Sequence, residues 1–260
     1  MSRLAGAFAR PGQPKLVAYA AAGDPDLDRS EDVVRAMARG GADVIEIGVP
    51  FSDPIADGPV IQRASERALA GGATLRTTLD LVGRVRGDID VPLVLFTYVN
   101  PVVRLGVTAF LDLAAQAGLD GVLLLDLPIE ESESMHAALA QRAIDQIFLV
   151  SPTTSDERLR EAGRLGSGFL YAISRLGVTG VRTSVATTAA PLVTRIRAAT
   201  SLPVALGFGI SRPEHVREVT AFADAAVVGS AIVQVVAESA SSGAAVGPRV
   251  EAFVNWLKGH

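Results

Sequence analysis

Residues 46–59 read EIGVPFSDPIADGP, and the stretch opens on a glutamate set inside an apolar run: Ala42 to Ile47 is ADVIEI, the pattern of a buried strand. A carboxyl there loses its hydration, which pushes its pKa toward neutrality and lets it give and take a proton near pH 7. Glu46 is therefore a candidate general acid/base. The structural alternative is a strand-end glutamate paired with an arginine such as Arg104 or Arg175. Asp57 lies further along, in a loop stiffened by Pro50, Pro54 and Pro59. A carboxylate that stays ionised there would accept a hydrogen bond or stabilise a cation. Its alternative is to cap the helix that follows Gly58-Pro59. Asp53 and Pro54 share the loop and suit capping or contact with another protein better than catalysis. Glu46, Asp57 and Asp126 would supply the oxygen ligands Mg²⁺ accepts, but no ligand motif accompanies them.

These residues need elements to hold them, and the chain has a rhythm. A small-residue helix end, an Asp and an apolar run recur at GGADVIEIGVP (40–50), AGLDGVLLLDLP (117–128), RAIDQIFLVSP (142–152) and FADAAVVGS (222–230). Two further runs open with X-Pro, VPLVLFTYVN (91–100) and LPVALGFGI (202–210), where proline suits the first position of a strand. With KLVAYAAAG (15–23) and SGFLYAIS (167–174) they make eight strands, most of them continuous and rich in Val, Ile and Leu, as parallel strands buried on both faces are. Helical patterns fall at 28–41, 155–166 and 212–223, the first ending on a Gly pair suited to a C-cap, with additional helices at 58–70 and 246–258. Ser211 and Glu214 have the spacing of a capping box. The stretch 239–247 reads as a loop. Eight β-then-α units predict one (β/α)₈ TIM barrel domain over residues 1–260, with an open doubly wound sheet as the alternative.

In such a barrel the C-terminal strand ends line the mouth. There the chain has GFGIS (207–211) and Gly229-Ser230, two glycine-bearing loops on adjacent strands, able to bind a phosphate through backbone N–H groups and a helix N-terminus; the alternative is tight turn geometry. Residues 174–190 read as a long loop suited to a lid, with Gly180 adding a further backbone donor. Tyr171 ends the preceding strand, where its hydroxyl would fall near Glu46. The two lysines, Lys15 and Lys258, lie before the first strand and in the last helix, so Schiff-base chemistry lacks its nucleophile. The three histidines fall in helices or the tail. Proton transfer is left to carboxylates and tyrosine. A net charge of −4 argues against a nucleic-acid partner. With no cysteine, no signal-peptide pattern and no apolar run of membrane-spanning length, a soluble cytoplasmic protein is expected.

The motifs also carry a resemblance. IEIGVPFSDPIADG (45–58), AAGDP (21–25), YVNPV (98–102), DLPIEES (126–132), SRLGVTG (174–180), GFGIS (207–211) and GSAIV (229–233) resemble, in order and spacing, the tryptophan synthase alpha subunit family. That resemblance implies a barrel that cleaves indole-3-glycerol phosphate to indole and glyceraldehyde 3-phosphate. It implies that Glu46 is the acid/base, that Asp57 accepts the indole N–H, and that Tyr171 supports Glu46. It implies further that Gly180, Gly209, Gly229 and Ser230 hold the phosphate while Tyr19 and Phe208 wall the pocket. Ala21 departs from the Thr frequent in the family, which touches the wall near Tyr19. The implied partner is a beta subunit in an α2β2 heterotetramer, reached through Asp53 and Pro54. The partner would carry pyridoxal phosphate, and this chain would bind no cofactor. Two other readings stay open: an enzyme that releases free indole alone, and a non-catalytic barrel that binds phosphate and regulates a partner.

Overall fold

The computed structural model describes residues 2–10, 14–173, 185–207 and 209–259. Eight parallel strands close in sequence order into a barrel: β1 (Leu16–Ala21), β2 (Val44–Gly48), β3 (Leu93–Thr97), β4 (Gly121–Leu124), β5 (Asp145–Val150), β6 (Leu170–Ile173), β7 (Val204–Gly207) and β8 (Ala225–Val228). The expected (β/α)₈ architecture is thus present, and the open sheet is not. The described helices are α1 (Arg3–Ala9), α2 (Leu27–Arg39), α3 (Pro59–Ala70), α4 (Leu75–Arg86), α5 (Val99–Leu105), α6 (Val107–Gln116), α7 (Glu133–Ala140), α8 (Asp156–Leu165), α9 (Val185–Ala199), α10 (Pro213–Thr220), α11 (Ser230–Ser241) and α12 (Val246–Lys258).

Period-two alternation divides each strand between two cores. Inward residues Val17, Val44, Val94, Leu123, Ile147, Phe169, Ala205 and Ala225 fill the barrel, and Leu4 and Ala7 of α1 plug it. Outward residues such as Ala18, Ile45, Leu95 and Leu206 pack under the helices. The recurring Asp explains itself at this end. Asp43, Asp120 and Asp224 each accept the N–H that opens an earlier strand, at Leu16, Leu93 and Val204, all at 2.8 Å. Lys258 donates to Asp43 at 2.6 Å and Lys15 to the Arg10 carbonyl at 2.6 Å. Both lysines therefore stand at the end opposite the mouth. Asp120 also takes Arg86 at 2.8 Å and Arg3 at 3.1 Å. Asp120→Ala would strand the largely buried Arg86 guanidinium, and is expected to cost roughly 3–5 kcal/mol. Urea unfolding should show a lower midpoint with an unchanged slope.

Three local expectations are corrected. The loop expected over 174–190 gives way to α9 from Val185 onward, because Ala189, Leu192, Val193 and Ile196 form a buried stripe at helical spacing; residues 174–184 lie outside the described residues. The loop expected over 239–247 is shorter, since α11 continues to Ser241 and α12 starts at Val246. The Ser211–Glu214 capping box is not made. Arg212 is the N-cap, the Ser211 N–H donates to His215 Nδ1 at 3.4 Å, and Glu214 pairs with Arg217 at 3.2 Å.

Candidate active site

The β1–β2 register sets Tyr19 beside Glu46, and the β2–β3 register sets Glu46 beside Val94. Alternation from Val44 turns the Glu46 side chain into the barrel, where it is fully buried. Among the described residues neither carboxyl oxygen has a hydrogen-bond partner. Burial alone pushes its pKa up to about 8, so the resting group is a neutral acid. The arginine pairing is not made by Arg104, which lines an outer groove with Pro50 and Asn100; Arg175 lies outside the described residues.

Asp57 is half-buried in the β2–α3 loop. The Tyr98 hydroxyl donates to its Oδ2 at 3.2 Å and accepts the Ala56 N–H at 3.1 Å. Burial raises the Asp57 pKa to about 6 while the Tyr98 bond pulls it down. Its carboxylate does not cap α3, whose N-cap is Gly58 with no side-chain bond. The two carboxyls thus prefer opposite states between pH 6 and 8.

Two tyrosines flank them, each laid over a glycine of a neighbouring strand. A Cβ on Gly48 would stand 2.1 Å from the Tyr19 hydroxyl, and one on Gly207 would stand 3.0 Å from that of Tyr171. Phe96 joins the rings: it meets Tyr19 edge-on at 5.4 Å and Tyr171 at 6.3 Å. Burial holds both hydroxyls well above the usual tyrosine range, with the nearby Asp57 and Glu46 adding to the rise. Both stay protonated donors at neutral pH.

On the other side of the mouth Gly209 adopts a left-handed φ of +61°. Gly229 is the N-cap of α11 and makes no side-chain cap bond; Ile232 N–H already donates to the Gly229 carbonyl at 2.9 Å, so among the described residues the N–H groups of Ser230 and Ala231 are the ones open to an anion. Gly180 and Phe208, expected at this site, lie outside the described residues. Asp53 is exposed and accepts from Ser52 Oγ at 2.6 Å; Pro54 follows it, half-buried. Asp126 accepts the Val99 N–H at 2.7 Å and so anchors the start of α5. Among the described residues no acidic or histidine cluster stands ready for a metal ion. Phe96 and Tyr98 also shape the site: the alternation Val94, Phe96 is the sequence signal that the Phe96 ring points inward, and Tyr98 stands just past the end of β3.

One mouth of the parallel barrel thus gathers two carboxyls of unlike pKa, two tyrosine donors and a helix N-terminus, which is the layout of a barrel enzyme. The tryptophan synthase alpha chain model matches residues 7–259. The tryptophan synthase alpha chain of Solibacter usitatus is 48% identical over 258 residues, covering 99% of this chain and 96% of the relative. Tryptophan synthase from M. tuberculosis in its aminoacrylate-bound form superposes with a TM-score of 0.88 at 35% identity, covering 99% and 98% of the two chains. The α2β2 complex from Pyrococcus furiosus gives 0.88 at 37% identity, over 95% and 99%. The chain belongs to the tryptophan synthase alpha chain family, the lyases of tryptophan biosynthesis that cleave indole-3-glycerol phosphate and pass indole to a beta subunit.

Proposed function

We propose that Glu46 is the general acid/base of this cleavage, Asp57 its cation stabiliser and Tyr171 the support of Glu46. The observation that carries the proposal is a carboxyl buried in the barrel interior with no hydrogen-bond partner among the described residues; a purely binding barrel has no use for so costly a group. Neutral Glu46 gives its proton to indole C3. The ring then carries a positive charge, and ionised Asp57 accepts the indole N–H and stabilises it. The Glu46 carboxylate takes the proton of the glyceryl hydroxyl next to the ring, the carbon–carbon bond breaks toward indole, and the aldehyde forms. Glu46 ends protonated, as it began. Gly180, Gly209, Gly229 and Ser230 hold the phosphate, and Tyr19 and Phe208 wall the pocket.

The Tyr98 bond favours ionised Asp57. In Tyr98→Phe the acid limb of kcat/KM should move upward from about pH 6, with a loss of a few-fold at pH 7.

The partner is a beta subunit in an α2β2 assembly, carrying the pyridoxal phosphate that this chain does not bind. Asp53 and Pro54 face it from the β2–α3 loop. In support, four of the five exposed large hydrophobics among the described residues, Ile55, Leu69, Val103 and Val107, lie on that loop, α3, α5 and α6. The chain works as one barrel domain in the cytoplasm; among the described residues no helix is long and apolar enough to cross a membrane. The test is indole release from indole-3-glycerol phosphate by the purified chain, alone and with a beta subunit. Slow release that accelerates with the partner is expected. No release in either condition from folded protein would overturn the reading.

A further inference from the structure

The substrate has four polar features. Three of them have proposed partners: the glycine loops for the phosphate, Asp57 for the indole N–H and Glu46 for the reacting hydroxyl. The hydroxyl on the middle carbon of the glyceryl chain has no assigned partner. Among the described residues two tyrosine hydroxyls in the barrel, those of Tyr171 and Tyr19, make no hydrogen bond, and Tyr171 is the one proposed to support Glu46. Tyr19 is 5% exposed, and among the described residues its hydroxyl makes no hydrogen bond, which leaves the donor open to a ligand.

The position of the ring narrows the match. Tyr19 pairs with Glu46 across β1 and β2. The base of its ring lies beside Gly229, whose added Cβ would stand 3.5 Å from Cδ1, and its hydroxyl lies over Gly48, two residues beyond Glu46. The ring therefore runs from the phosphate end of the site to the strand that carries the acid. A glyceryl chain tethered at the phosphate and reacting at Glu46 must pass along it. Phe96, edge-on at 5.4 Å, fixes the ring from the other side. Gly48 is what makes this possible, because any side chain there would occupy the hydroxyl's place.

We infer that Tyr19 is a positioning residue as well as a wall, its hydroxyl donating a hydrogen bond to the glyceryl hydroxyl that Glu46 does not deprotonate. This contact fixes the rotation of the chain between phosphate and ring, so that the reacting hydroxyl meets Glu46. The inference rests on the roles proposed for Glu46 and the glycine loops.

A two-by-two comparison tests it. Wild type and Tyr19→Phe, each with the beta subunit, are assayed on indole-3-glycerol phosphate and on the analogue lacking the middle hydroxyl. The expected result is a roughly tenfold lower kcat/KM for Tyr19→Phe on the full substrate, about the worth of one hydrogen bond, and at most about a twofold difference between the two proteins on the analogue. Equal activity of the two proteins on the full substrate would overturn the inference. So would an equal loss on both substrates, which would mean that the hydroxyl only holds the site together. Glu46→Gln is assayed alongside: turnover in that variant would sink the acid/base assignment, and the substrate comparison would still report whether the Tyr19 contact exists.

Discussion

Glu46→Gln should lower indole release by about 10³- to 10⁴-fold while phosphate-anchored ligands still bind, because the amide keeps the shape of the side chain and loses the transferable proton. The same variant should behave unusually in stability. The carboxyl pKa rises from 4.5 to about 8 in the folded chain, so between these values the folded state holds a proton that the unfolded state has lost. Wild-type stability therefore falls as pH rises through this window, and the full cost is present above pH 8. Gln has nothing to ionise. The stability difference between variant and wild type should be flat below pH 4.5 and then grow in favour of Gln. It should reach on the order of 3 kcal/mol by pH 7 and 4–5 kcal/mol above pH 8, at 1.36 kcal/mol per unit. Chemical denaturation at pH 5, 7 and 8.5 measures it. A difference independent of pH would mean that Glu46 does not rest as the neutral acid. Activity lost with stability gained is the trade expected of a strained catalytic group.

Asp57→Asn should cost about 10²- to 10³-fold in kcat/KM at pH 7, the range found when a charge-stabilising group is removed from a site closed to water. The amide oxygen still accepts the indole N–H but brings no charge to the cation. The pH dependence separates this from misfolding. In the wild type the acid limb should fall below about pH 6, as Asp57 takes a proton, and the alkaline limb should fall above about pH 8, as Glu46 loses one. Asp57→Asn should keep the alkaline limb and lose the acid one. The gap between the two proteins should then narrow roughly tenfold from pH 7 to pH 5. A variant that keeps the acid limb near pH 6 would show that another group sets it.

The eight strands and the buried carboxyl of Glu46 are legible in the sequence because they depend on short-range pattern. Each Asp before an apolar run marks where a strand begins, and Asp43, Asp120 and Asp224 make the bonds that fix those starts. Glu46 stood out for the same reason, as a carboxyl inside a β-branched run. What the pattern did not carry depends on pairing over distance. Tyr98 reaches Asp57 across 41 residues of chain, and Phe96 matters only because closing the barrel sets it between Tyr19 and Tyr171. The role of Gly48 appears only with the Tyr19 ring laid over it. Tertiary burial also overrides local signals: the threonines at 187 and 188 and the following Pro191 favour a loop, yet α9 begins at Val185. At Ser211 the capping pattern was present, but the N–H went to His215.

The proposed cleavage requires Glu46 to be an uncharged acid at neutral pH, and its carboxyl carbon can be titrated directly. With ¹³C in the glutamate side-chain carboxyls, the resonance missing from Glu46→Gln identifies Glu46, and its shift can be followed from pH 4 to pH 9. The expected midpoint is near 8, with the protonated shift still dominant at pH 7. A midpoint near the ordinary 4.5 would contradict it, leaving a buried carboxylate that has no proton to give to the ring.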